Sequence, residues 1–271
     1  MGRMNKKTSF RHPPVVETVI GVQFEPLPKM TNAHLGAFWK TLGPDWPNVT
    51  DAPRIEDQFE RFDAPRFFGG FQFKLTQNLT ARLQIRGSSG DRMIQVQNCR
   101  FDYNWLGEKG GEYPRFSQVR PEFDEMFRRY ERFIGEAGLG DMKPAQWEIT
   151  YVNHIPKGTV WESPEDWAGV FRGLPIPSPA PTGLILEGIG GNWHFEIAPK
   201  RGRLHVDVKS GMLAQNEREV LVLTLTARGP VAPGADNDAA FDEGLNLGHD
   251  TIVRSFVELT SETAHAFWDK P

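Results

Sequence analysis

Two stretches constrain the fold of this chain more than anything else in it. Residues 14–24 (PVVETVIGVQF) and residues 146–156 (QWEITYVNHIP) are rich in β-branched and aromatic side chains, so both read as strands. Each places a glutamate, Glu17 or Glu148, one position after a large apolar residue. Each also runs out into proline, at Pro26 and Pro156. In the first, Val16, Thr18, Ile20, Val22 and Phe24 share one face and Glu17 and Gln23 the other, so the even face is the expected core face.

Each strand is followed by the same succession of elements. After the first, Thr31 or Asn32 caps a helix with Leu35, Phe38, Trp39 and Leu42 at i, i+3, i+4, i+7, ended by Gly43-Pro44. Four strands are then expected, over residues 54–62, 67–75, 79–86 and 92–105, with a turn at residues 87–91. A long helix follows, its apolar stripe running from Phe116 through Val119, Phe123, Phe127 and Tyr130 to Ile134. After the second strand, Ser163-Pro164-Glu165-Asp166 starts a helix with Trp167, Val170, Phe171 and Leu174 on one stripe. A proline-rich loop is expected over residues 175–181. Strands are expected over 184–189, 193–198, 204–209 and 220–227, then a mobile loop over 229–246 and a last helix with Ile252, Val253, Phe256 and Val257.

Corresponding positions keep a nearly constant interval. Glu17 and Glu148 are 131 residues apart, Leu35 and Trp167 132, and Leu42 and Leu174 132, while Phe133 and Phe256 are 123 apart, as if the intervening loops had shortened by a few residues. The expectation is an α+β protein of two duplicated β-α-β-β-β-β-α halves, residues 12–141 and 142–271, after a flexible basic arm over residues 1–11. Runs of consecutive strands imply an antiparallel sheet with helices on one face. This order resembles, in topology only, the layout of the TATA-binding-protein fold and of helix-grip folds.

With 39% apolar and 24% charged residues, the 271-residue chain can bury a sizeable core. A net charge of −4 argues against nucleic acid as the main partner, since nonspecific binding rests on a basic surface. One cysteine, Cys99, allows no intrachain disulfide and no cysteine metal cluster; it is expected in a strand as a buried structural thiol. No apolar run approaches the roughly 20 residues that span a bilayer, and the first eleven residues lack the apolar centre of a secretory signal, so a cytoplasmic protein is expected.

Several short stretches resemble a sporadically distributed family of uncharacterised bacterial proteins of about this length. They are Pro13-Pro14-Val15-Val16-Glu17, residues 94–101 (IQVQNCRF) followed by Asn104-Trp105, Tyr113-Pro114, residues 151–155 (YVNHI) and residues 249–256. Two positions depart from the pattern: Thr150 stands where a large polar residue is expected before Tyr151, and Leu106 where a basic one often follows Asn-Trp. The resemblance implies no activity. Its patchy distribution is that of accessory or defence genes.

Chemistry is sought where polar residues converge. A hairpin turning at Lys200-Arg201 sets Glu196 opposite His205 and His194 opposite Asp207. Those four side chains are candidates for a divalent metal, a small ligand or acid–base work; the plainer role is cross-strand charge pairing. Secondary candidates are Tyr151, Asn153 and His154, read as a structural pin between the halves, and Arg100, Asn104 and Trp105 for an anionic or aromatic ligand. Arg82, Arg86 and Arg92 lie near one turn and read as a solvated basic edge. The chain has no Walker A loop, no Gly-x-Ser-x-Gly, no His-Glu-x-x-His and no dinucleotide fingerprint after a strand. No cofactor and no metal site is assigned. The leading expectation is a non-enzymatic module that binds a protein partner or itself. An enzyme or ligand binder working through the hairpin is the alternative, and nucleic-acid binding on the sheet ranks last.

Overall fold

The computed structural model describes residues 9–62, 81–107, 112–174, 182–232 and 237–268. Among these residues nine strands form one antiparallel sheet. They are β1 (Val15–Phe24), β2 (Asn48–Ala52), β3 (Arg82–Arg86), β4 (Arg92–Gln97), β5 (Arg100–Leu106), β6 (Pro144–Pro156), β7 (Gly191–Glu196), β8 (Arg203–Leu213) and β9 (Arg218–Pro230). Their spatial order is β2-β3-β4-β5-β1-β6-β9-β8-β7. The two glutamate-bearing strands are therefore the centre of the sheet. They pair with each other, Val22 opposite Trp147 and Ile20 opposite Ile149, and join the two parts of the chain.

Helices α1 (Asn32–Leu42), α2 (Arg115–Glu136) and α5 (Asn237–Leu259) cover one face. As alternation predicts, Ile20, Val22 and Phe24 point into it and are buried. Phe101 packs on Phe123, Phe127 and Tyr130 of α2 at 5.2–6.1 Å between ring centres, and Phe38 of α1 meets Tyr130 at 4.9 Å. The α1 start is as expected, the Thr31 N–H donating to His34 Nδ1 at 3.1 Å. Gly43 ends it at φ 82°, a left-handed value that favours glycine. Of the expected flexible arm, residues 9–11 are described, and Phe10 is buried against Phe256 and Trp268, the latter just after α6 (Glu262–Phe267). No helix among the described residues is long and apolar enough to cross a membrane.

The second part is not the equal of the first. It has three strands after its short helix, because residues 184–189 form none; Leu184 and Ile185 are exposed instead of alternating inward. The Ser163 start gives a 3-10 turn (Pro164–Asp166) and one turn of helix, α3 (Trp167–Val170), although Trp167, Val170, Phe171 and Leu174 are all buried. In the first part, residues 54–62 are not a strand but an irregular strap across the sheet face opposite the helices. The edge place goes to β2, whose sequence NVTDA is too polar to show an apolar alternation. The expected strand 67–75, the start of 79–86 and the proline-rich loop over 175–181 lie outside the described residues. The single strand expected over 92–105 is a hairpin, since Gln97 pairs with Arg100 across a turn at Asn98-Cys99. Cys99 therefore sits in a turn, buried as expected.

The mobile loop expected over 229–246 is largely helix. Its glycines misled because two of them, Gly229 and Gly244, serve close packing against Trp147, as does Gly248 one turn further along α5, and a Cβ at any of them would overlap the indole. The turn between β7 and β8 holds α4 (Ala198–Arg201), a single turn interrupted at Pro199 and Lys200.

Candidate functional site

The two faces of the central strands present two different environments. On the helix face, α2, α5, β6 and the residues leading into β1 enclose a cavity of about 300 Å³. Its walls are mainly apolar, with Phe10, Val15, Phe116, Ile252, Val253 and Phe256 among them. One polar chain opens on it. The Tyr113 hydroxyl donates to the Tyr151 hydroxyl at 2.9 Å, and Tyr151 lies 3.0 Å from His249 Nδ1. Phe116 stacks on the imidazole at 4.1 Å and 7°, fixing the ring plane. Arg115 spans the mouth, donating to the Phe10 carbonyl at 2.8 Å with its guanidinium over the Tyr113 ring. Asn153 is tied to the Leu223 carbonyl at 3.1 Å.

Burial raises both phenols, Tyr113 above the ordinary tyrosine value and Tyr151 well above it. Both therefore stay neutral near pH 7. They can donate and accept hydrogen bonds to a ligand carbonyl, hydroxyl or carboxylate, but they are poor bases.

The opposite face is polar, buried and covered by the strap. Arg100 lies between Glu148 at 3.1 Å and Asp102 at 3.4 Å. Burial pushes the Asp102 carboxyl up to about 7, against the pull of Arg100. Burial also raises Glu148, but Arg100 and Arg228 more than offset that and hold it below the usual range. Asn104 donates to Glu17 at 2.6 Å and accepts from Gln95 at 3.0 Å. Further along, Glu60 of the strap is enclosed by Arg203, by Arg228 Nε at 2.6 Å and by His205 Nε2 at 2.7 Å. Burial alone would raise Glu60; the hydrogen bonds from His205 and Arg228 reverse this and bring it to about 2.

The predicted site residues are thus divided. The β7–β8 register sets His194 opposite His205, Glu196 opposite Arg203 and Asn192 opposite Asp207, so the pairing expected from a turn centred on Lys200-Arg201 is displaced. The cause is the α4 turn, in which Gly202 precedes β8 and Ile197 N–H bonds to its carbonyl at 2.8 Å. His194 and His205 do meet, Nδ1 to Nδ1 at 2.7 Å, but their carboxylate is Glu60. Glu196 instead accepts from the Lys200 N–H, and Asp207 pairs with Lys209. Among the described residues no group of three or more His, Cys, Asp or Glu is placed to hold a metal. Tyr151 and Asn153 line the cavity, whereas His154 is on the other face, half-buried, with burial lowering its pKa. Arg100 and Asn104 are in the polar network, while Trp105 faces the helices against Tyr113. Arg82 bonds Gln95 and Arg92 bonds Glu122, so the expected basic edge is partly an interior one.

Missing from the sequence reading were Glu60, Tyr113, Arg115, Arg203, Arg228 and His249. Tyr113 and the segment from His249 onward were visible only as parts of the family resemblance. The polar face had a fuller signal in the alternation of Arg100, Asp102 and Asn104 along one strand, matched by Glu17 and Gln23 on another. No protein-family model matches this chain, and neither a curated protein nor a solved structure matches it.

Proposed function

We propose that the protein is a binding module for a small, mainly apolar molecule with one polar end, taken up in the cavity between α2, α5 and the central strands. The observation that carries this reading is the Tyr113–Tyr151–His249 chain opening on apolar walls, the combination of shape and few convergent polar groups found in ligand sites. The neutral phenols and the imidazole orient the polar end, and Phe116, Val253 and Phe256 take the body. 8-Anilinonaphthalene-1-sulfonate, an aromatic anion, is a suitable probe. It should bind the folded protein saturably at one equivalent. Val253→Trp, which fills the cavity, should abolish the fluorescence gain at unchanged circular dichroism. Equal binding by the filled variant refutes the reading, and native mass spectrometry of gently purified protein searches for the natural occupant.

A second reading, association with a protein partner or a second copy, is supported by the edge strand β7. It ends the sheet among the described residues and leaves Phe195 44% exposed, with Ile185 88% exposed in the segment before it. If copies pair through this edge, light scattering will give a dimer mass that Phe195→Lys reduces to that of the monomer. A monomer at all concentrations removes self-association. Nucleic-acid binding on the sheet is the least supported, since the arginines of the polar face are paired with carboxylates under the strap.

A further inference from the structure

The strap over residues 53–62 has no regular secondary structure, yet it crosses the middle of the sheet held by three glutamines. Gln97 on β4 accepts from the Ile55 N–H at 3.1 Å and donates to the Ile55 carbonyl at 2.9 Å. Gln23 on β1 accepts from the Gln58 N–H at 3.2 Å. Gln146 on β6 accepts from the Glu60 N–H at 2.7 Å and donates to the Gln58 carbonyl at 2.8 Å. All five bonds go to backbone groups, which any sequence in an extended conformation would offer. The side chain enclosed most fully is Glu60, at 4% exposure, in the cradle of Arg203, Arg228 and His205.

The burial is one-sided. Each of the three glutamines is 1% exposed and Arg203 5% as whole residues, whereas every residue of the strap keeps part of itself in solvent, Glu60 hiding its side chain but not its backbone. Lifting the strap would uncover amides and guanidinium groups that water can satisfy, not an apolar core. Such a segment opens at lower cost than the sheet beneath it. The cradle it leaves would hold two arginines and a histidine. Among the described residues, Glu148 lies 3.8 Å from Arg228 but is already bonded to Arg100, and Glu196, opposite Arg203 in the β7–β8 register, accepts from the Lys200 N–H. The uncovered end would therefore attract an acidic group, and the glutamine row would attract the chain that carries it.

We propose that this face is a groove for an extended acidic peptide segment of a partner protein, which residues 53–62 occupy in cis as an autoinhibitory stand-in, with Glu60 in the place of the partner's acidic side chain. A free small anion would use the cradle and leave the glutamine row unused. The groove is separate from the cavity between α2 and α5, and the two readings stand or fall independently.

The test uses the full chain and a fluorescein-labelled peptide copying residues 53–62, followed by anisotropy. Glu60→Ala empties the cradle, so it should bind this peptide at least about tenfold more tightly than the wild type does, a difference of about 1.4 kcal/mol. A peptide with alanine at the Glu60 position should lose at least about tenfold. No binding by the folded variant, or equal binding of the alanine peptide, overturns the proposal. Glutarate binding as tightly as the peptide overturns the peptide groove in favour of a small-anion site. If Glu60→Ala does not fold, hydrogen exchange of the wild type decides. The amides of Ile55, Gln58 and Glu60 should exchange faster than those at the centres of β1 and β6, and excess unlabelled peptide should speed them further. Strap amides that open only with the whole sheet refute it.

Discussion

Replacing Gly244 with alanine sets helix propensity directly against packing. In an exposed helix the change should stabilise by about 1 kcal/mol, because alanine loses less backbone freedom than glycine. Gly244 is buried on α5, however, and an alanine Cβ there would lie 2.7 Å from Trp147 Cγ and closer still to Cδ1 and Nε1. The indole has nowhere to go. A Cβ on Gly248 would be 2.7 Å from its far edge, and on Gly202 and Gly229 2.9 and 2.7 Å from Cζ2. Four glycines from three parts of the chain therefore box in one tryptophan. Overpacking in such a site costs about 1–3 kcal/mol, with α5 displaced from β6 and β9, so after the propensity gain the net effect should be destabilising by up to about 2 kcal/mol. Chemical denaturation of Gly244→Ala measures it. Trp147→Leu in the same background should restore part of the loss, making the pair strongly non-additive. A Gly244→Ala protein that is more stable than the wild type would refute the close approach of α5 to the sheet.

Two further predictions concern the polar face. The folded Glu60 carboxyl lies near 2 instead of its ordinary 4.5, so its contribution is fully present above pH 4.5 and is lost as pH falls toward 2. That difference corresponds to about 3 kcal/mol, reduced to about 2 by solvent screening at the open side of the strap. The stability gap between wild type and Glu60→Gln should close by this amount between pH 5 and 2 in urea titrations. Asp102, shifted the opposite way, is common to both proteins and cancels. A gap independent of pH would show that Glu60 is not held as a carboxylate. For Cys99, burial and then the nearby Asp57 push the thiol to about 11 from 9.0. Alkylation by iodoacetamide at pH 8 should therefore be about 100-fold slower in the folded protein than in urea; equal rates would place the thiol in solvent.

Much of the scaffold was legible because it rests on near neighbours. The even face of β1 from Thr18 to Phe24, the stripe of α2 and the capped start of α1 follow from spacings of two, three and four residues and are where the alternation and periodicity place them, although a bulge between Val15 and Glu17 buries Val15 in place of Val16. Elements whose local pattern is ambiguous were misread. β2 is polar because one edge of the sheet is solvated, and residues 184–189 look like a strand but form no ladder, the backbone of Ile189 being bonded to the Ser210 side chain of β8 instead. The start of α5 looks like a loop because its glycines answer to Trp147, about a hundred residues away in sequence. The expected β7–β8 pairing failed for a similar reason, since the turn geometry and not the alternation sets its register.

The sequence by itself determined an α+β chain with an antiparallel sheet and helices on one face, and which faces of its two glutamate-bearing strands are apolar; that these strands pair at the centre of a single sheet was decided by the tertiary structure. The sites were decided by tertiary structure alone. Tyr151 reaches His249 across 98 residues, and Glu60 reaches Arg228 across 168. No local periodicity encodes such partners. A polar side chain on a strand reads as solvated until another segment covers it, and here the cover is an irregular strap whose own sequence has no pattern. What turns alternating arginines, glutamines and carboxylates into a buried network is the exclusion of water, and that exists only once the strap and the sheet have come together.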